Sequence, residues 1–242
     1  MKHYGNVPNT QILSLPIDGN GSDIPNGALI GPGVTAGTNM GVFALAAASG
    51  LDAVGIKHGL HDFSEVGDST PESAADFVKG SIIALLPGHW VEIEYDLTSV
   101  ITATGASTTS TTATSLEDNI DGSWLYYVSG DAIGQLAYVT ASASADATHE
   151  AITTAPAAGD TFIKIMGLGK KLLTMNSART KMASTAAVGT WTATVIKNQI
   201  RYTGSKGWED LEPGTHHNLQ GLNGKNVEFR AIISPHNLYL GQ

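Results

Sequence analysis

Turn dipeptides recur along this chain: Asp18-Gly19, Asn20-Gly21, Asn26-Gly27, Asp121-Gly122 and Asn223-Gly224. Each puts a glycine where a tight hairpin needs positive φ. The intervals leave little room for long helices, and the runs between them read as strands. In the first part these are Gln11–Leu15, Gly27–Ile30, Gly41–Ala46, Ala53–Ile56, Phe77–Leu86 and Trp90–Tyr95. In the last of them Val91, Ile93 and Tyr95 alternate with Glu92 and Glu94. That two-residue period predicts a half-buried strand with its acids toward water. Trp124–Val128, Gln135–Thr140, Ala151–Thr153 and Thr161–Met166 follow at the spacing of an antiparallel meander. Thr190–Ile196, Ile200–Thr203, Val227–Ile233 and Asn237–Leu240 continue the pattern.

Helix is expected only as short pieces. Ser69 or Thr70 would cap, and Pro71 would open, a helix at Glu72–Phe77, while Lys170–Ala187 reads as either helix or strand. The expectation is an all-β chain, an antiparallel β-sandwich or barrel of jelly-roll-like character with few short helices. Residues Ile101–Ser115 are almost entirely Thr, Ser, Ala and Gly. They read as a flexible loop or linker, or as a flat strand pair packed on a neighbouring subunit. As a boundary they divide an N-terminal β lobe, 1–100, from a C-terminal β lobe, 116–242. A single sandwich with a long surface loop is the other arrangement. A chain of 242 residues buries roughly 70–75% of its unfolded surface without a metal or disulfide. There is no Cys, which excludes disulfides and thiolate metal sites.

Charge is unevenly placed. Residues 1–163 hold 3 basic and 18 acidic side chains, residues 164–242 hold 10 and 4, and no Lys or Arg occurs from Gly80 to Ile163. Such polarity suits a protein that packs in a fixed orientation against copies of itself or a partner. The acidic total argues against general nucleic-acid binding. No apolar run is long enough to span a bilayer as a helix, and the start Met-Lys-His-Tyr-Gly-Asn-Val-Pro lacks a signal-peptide core. Cytoplasmic folding is therefore expected, and Asn20-Gly21-Ser22 is read as a turn rather than a glycosylation site.

Several constellations touch on chemistry without completing it. Gly67-Asp68-Ser69-Thr70 matches the Gly-Asp-Ser block of some esterases, yet Ser64-Glu65-Val66 before it is no buried strand. His216, His217 and His236 also lack an Asp at the relay spacing. His58, His61 and Asp62 would hold a divalent metal only if His216 and His217 joined them in space. Gly31-Pro32-Gly33-Val34-Thr35-Ala36-Gly37 lacks the Lys-Ser/Thr of a phosphate loop, and Pro32 removes an N–H from the cradle. Trp90, Trp124, Trp191 and Trp208 are read first as core, with sugar stacking as the alternative. No catalytic residue, metal site or cofactor is expected.

The stretches Asp121-Gly-Ser-Trp124-Leu-Tyr-Tyr-Val128, Gln135-Leu-Ala-Tyr138-Val-Thr and Asp160-Thr-Phe162-Ile-Lys-Ile165 resemble β-rich virion proteins of tailed bacteriophages. Gly221-Leu-Asn-Gly224 running into Val227–Ile233, and Gly27–Gly33, carry the same style. The major shell protein of such heads has a long spine helix, for which no periodic segment exists here. The resemblance therefore implies an auxiliary head protein: a non-enzymatic decoration or cement protein on the outer capsid face. It would bind the major capsid protein, associate with itself as a trimer, and reside in the virion after assembly in the host cytoplasm. A tail or fibre component binding host glycans is the alternative. Lys170, Lys171 and Lys181 are the candidate docking surface, meeting an acidic shell or sister-subunit surface while the acidic lobe faces solvent.

Overall fold

The computed structural model describes residues 90–177, 180–185, 190–202, 207–213 and 227–235, with five earlier strand segments traced as backbone. In chain order the early strands are β1 (Lys2–Tyr4), β2 (Ile12–Asp18), β3 (Leu29–Ile30), β4 (Gly55–Lys57), β5 (Phe77–Ala84) and β6 (Trp90–Glu94). Next come β7 (Ile101–Thr102), β8 (Gly105–Ala106), β9 (Ser110–Thr112), β10 (Trp124–Tyr127), β11 (Leu136–Ala143), β12 (Asp146–His149) and β13 (Thr161–Ile165). The last four are β14 (Gly169–Thr174), β15 (Thr190–Tyr202), β16 (Glu209–Asp210) and β17 (Val227–Pro235). All strand pairings are antiparallel, and no helix occurs among the described residues, so the chain is all-β.

One sheet runs β1-β6-β17-β15-β14, with β16 added alongside β15. A second runs β7-β13-β10-β11-β12-β9-β8. Its two end strands, β7 and β8, are successive pieces of one chain segment, so this sheet closes on itself. Ala103 and Thr104, between them, carry the closure: Ala103 exchanges bonds with Asp160 and Gly159, and the Thr104 N–H donates to the Thr112 carbonyl at 2.8 Å. The result is a small barrel built from residues 101–165 and inserted between β6 and β14. A third sheet, β2-β5-β4-β3, pairs residues before position 85.

The barrel packs on the first sheet through β10, β11 and β13. Strand β10 is buried on both faces. Trp124 and Tyr126 enter the core between the layers, beside Val91, Ile93, Ile163, Phe229 and Ile233. Leu125 and Tyr127 point the other way, into the barrel, with Ile101, Ala137, Val139 and Phe162. A side-chain period of two thus serves two cores at once. Tyr95 joins the layers: its hydroxyl donates to Asn198 Oδ1 at 2.8 Å and accepts from the Met166 N–H at 3.0 Å. Asn198 Nδ2 completes the ring by donating to the Met166 carbonyl at 2.7 Å.

Several expected elements differ in detail. The Thr/Ser-rich stretch 101–115 carries β7, β8 and β9, with Ile101, Ala103, Thr111 and Ala113 facing the interior. A narrow barrel has room for such small side chains where a broad sandwich would need larger ones. Ala151–Thr153 is not a strand; Asp146–His149 takes that place as β12. The runs expected at 190–196 and 200–203 merge into β15, whose register shifts between Val195 and Lys197 as a β-bulge. Lys170–Ala187 begins as β14, resolving its ambiguity toward strand. Glu72–Asp76, Gly41–Ala46 and Asn237–Leu240 lie outside the described residues. Because β6 pairs with β17, segments 1–100 and 116–242 share a sheet.

Candidate docking surface

The outward face of the first sheet has two unlike halves. One half, on β6, β15 and β17, is a closed network of charge. Arg230 pairs with Glu92 at 2.5 Å and donates through Nε to Gln199 Oε1 at 2.8 Å. Arg201 pairs with Glu228, and Lys197 meets Asp210 at 3.0 Å. Gln199 Nε2 also donates to Asp210 Oδ1 at 2.6 Å; with Lys197 beside it, this holds the carboxyl below the usual carboxylate range despite partial desolvation. The Trp208 ring takes Arg230 and Arg201, 4.3 and 4.6 Å from its centroid, in cation–π contact. These cations are occupied within the chain.

The other half lies on β14, an edge of that sheet. Its alternation sends Leu173 into the core, whereas Leu172 is 51% exposed and Leu168, just before the strand, is 62% exposed. Lys170 stands between them on the same side of the chain and is exposed; Lys171 is half-buried. Lys181 is half-exposed and pairs with Glu94 at 3.1 Å. The three lysines singled out by sequence therefore divide: Lys170 and Lys171 share the edge strand, and Lys181 is held by an acid of β6.

Of the four tryptophans, Trp124 is core, Trp208 stacks with the two arginines, and Trp90 is 52% exposed on β6. Trp191 lies in β15 and its side chain is outside the described residues. So are His58, His61, Asp62, Gly67–Thr70, His216, His217, His236 and Gly31–Gly37. Among the described residues no group of three or more His, Asp or Glu is arranged to hold a metal, and no helix is long and apolar enough to cross a membrane.

Sequence reasoning passed over three features. Leu172 was hidden in an ambiguous segment and Leu168 just before it, and only the strand period shows that they share a side with Lys170. Lys164, 3% exposed in its side chain, reaches Glu117 at 2.7 Å. His149, buried in the barrel, has its Nε2 3.0 Å from Thr111 Oγ1, which in turn lies 2.5 Å from the Tyr127 hydroxyl.

The fold and this surface define a class, an all-β protein with a barrel stacked on an open sheet. Comparison with family models, with curated proteins and with solved structures finds no match.

Proposed function

We propose that this chain is a non-enzymatic structural protein of a tailed-phage virion, a cement protein that binds the outer face of the capsid as a homo-oligomer. The observation that carries the reading is the β14 edge, where two exposed leucines flank an exposed lysine. Apolar side chains on an open sheet edge favour being covered by protein, and a neighbouring lysine favours an acidic partner. Buried Tyr95 and Asn198 tie the layers together, and buried Lys164 holds the loop that carries exposed Glu117, so these polar groups have structural roles. Binding restricted to the expanded shell adds its free energy to that state by mass action. Several subunits acting together turn modest single contacts into firm attachment.

The test is co-sedimentation of purified protein with expanded and unexpanded shells of the phage that encodes it. Saturable binding to expanded shells at low salt, weakened by Lys170→Glu with Lys171→Glu, supports the proposal. Equal recovery of wild type and variant in the unbound fraction refutes it. Trp90 supports a second reading, a tail or fibre component that stacks a host sugar on its exposed indole. Binding of isolated protein to host cells, abolished by Trp90→Ala, would favour that alternative.

A further inference from the structure

Hydrogen bonds define the open side of β14. The Thr174 carbonyl accepts from the Ala183 N–H at 2.8 Å, and the Asn176 N–H donates to the Lys181 carbonyl at 2.9 Å. Residues 181–183 thus cover the end of the strand on the side away from β15. Backbone polar groups alternate between the two sides of a strand, residue by residue. Gly169, Lys171 and Leu173 therefore bond to β15, opposite Val195, Ala193 and Trp191, while Lys170 and Leu172 turn their N–H and C=O groups outward with Thr174. The same phase runs through β15: Ala193, which bonds to β14, lies opposite Pro235, a residue with no N–H to give. Among the described residues nothing pairs with the backbone of Lys170 or Leu172 on this side.

Side chains follow the same alternation. Lys170 and Leu172 are exposed on the outer face, whereas Lys171 projects to the opposite face with Leu173 and is half-buried. Neither lysine forms an ion pair among the described residues. An added strand reaches both, because it runs beside β14 and projects side chains to both faces. A second copy of β14 does not fit this role. Two-fold pairing through the outward groups of Lys170 and Leu172 sets Lys170 on Lys170 or Lys171 on Lys171, and like charges directly opposite disfavour pairing. The remaining register, Leu172 on Leu172, needs the backbone of Thr174, which Ala183 already occupies. An acid opposite each lysine and an apolar side chain opposite Leu172 complement the edge instead.

We propose that an extended acidic segment of a partner protein adds to this edge as an extra strand. Lys170 and Leu172 exchange backbone hydrogen bonds with it. Two successive acids of the segment meet Lys170 and Lys171 on opposite faces, and an apolar residue beside them covers Leu172. This deepens the reading of β14 as a docking edge and rests on it. Edge lysines also discourage strand-to-strand aggregation, and a protective role alone leaves the edge empty.

The experiment follows backbone amide NMR signals of the full chain during titration with the peptide acetyl-Thr-Val-Glu-Glu-Thr-Val-amide. Saturable shifts centred on Lys170 and Leu172, weakening as salt rises, are expected. In the free chain these two amides should exchange with deuterium faster than those of Lys171 and Leu173, and should slow on saturation. Replacing both glutamates of the peptide by lysine, or methylating its nitrogens that face β14, should each weaken binding by about tenfold or more. Loss through methylation separates strand addition from simple charge attraction. Leu172→Pro removes an N–H that β15 does not use, so it should abolish binding with the barrel resonances unmoved. Absence of saturable shifts at Lys170 and Leu172, equal protection of all four amides in the free chain, or equal binding of the methylated peptide overturns the proposal. If the peptide binds yet expanded shells do not, only the cement reading falls; if shells bind Leu172→Pro as tightly as wild type, only strand addition falls.

Discussion

Lys164 and Glu117 form a lopsided pair: the lysine is 3% exposed in its side chain and the glutamate 60%. Removing the acid leaves a buried ammonium without its anion, whereas removing the ammonium returns a carboxylate to water that it already touches. Glu117→Ala should therefore cost about 2–3 kcal/mol. Lys164→Met, which keeps the buried stem, should cost less than about 1 kcal/mol. Chemical denaturation of both variants checks the order, and a larger loss for Lys164→Met would contradict it. His149 makes a second residue-scale prediction. One arrangement satisfies every polar atom of its chain: Tyr127 donates to Thr111, Thr111 donates to His149 Nε2, and His149 Nδ1 donates to the Glu150 carbonyl at 2.9 Å. This requires a neutral imidazole, and burial pushes its pKa below the ordinary value. With the folded pKa depressed, the unfolded chain binds the extra proton first as acid is added. The His149 contribution is complete above about pH 6.5 and is lost as pH falls through the folded pKa. The thermal midpoint of wild type should fall across that range more steeply than that of His149→Gln; parallel curves would refute it.

At the scale of elements, closure of the barrel depends on tight backbone corners. Gly130 has φ +78°, and a Cβ there would lie 1.8 Å from Asp160 Oδ1. Asp160 ends the loop that feeds β13, and its Oδ2 accepts from the Ala157 N–H at 2.9 Å. Gly130→Ala should cost roughly 1–3 kcal/mol for the backbone alone, with displacement of Asp160 added. Unfolding titrations read this directly, and an unchanged midpoint would contradict the corner's role. Strands such as Trp124–Tyr127 and Val227–Pro235 were legible because large apolar side chains mark both faces or alternate ones. Strands β7, β8, β9 and β12 were not, because their inward positions use Ala and Thr, residues equally at home in a loop. The bulge in β15 hid its length by breaking the two-residue period between Val195 and Lys197. The candidate lysines were visible as charge; the leucines beside them became visible only once Lys170–Thr174 proved to be strand.

For the whole molecule, the one-dimensional asymmetry of charge resolves into pairing across the chain. Glu92, Glu94 and Glu117 from the acidic part meet Arg230, Lys181 and Lys164 from the basic part. Glu92–Arg230 joins β6 to β17, Glu94–Lys181 joins β6 to the segment after β14, and Glu117–Lys164 joins a barrel loop to β13, and only the β14 edge keeps lysines without an ion pair among the described residues. With those cations paired inside the chain, the exposed Leu168, Lys170 and Leu172 are the surface on which the cement reading turns. The most direct test is the disruption temperature of expanded shells as purified protein is added. The cement reading predicts a rise that grows with the logarithm of free protein concentration once sites begin to fill, absent with the Lys170→Glu, Lys171→Glu variant. A disruption temperature that stays constant across the titration would contradict it.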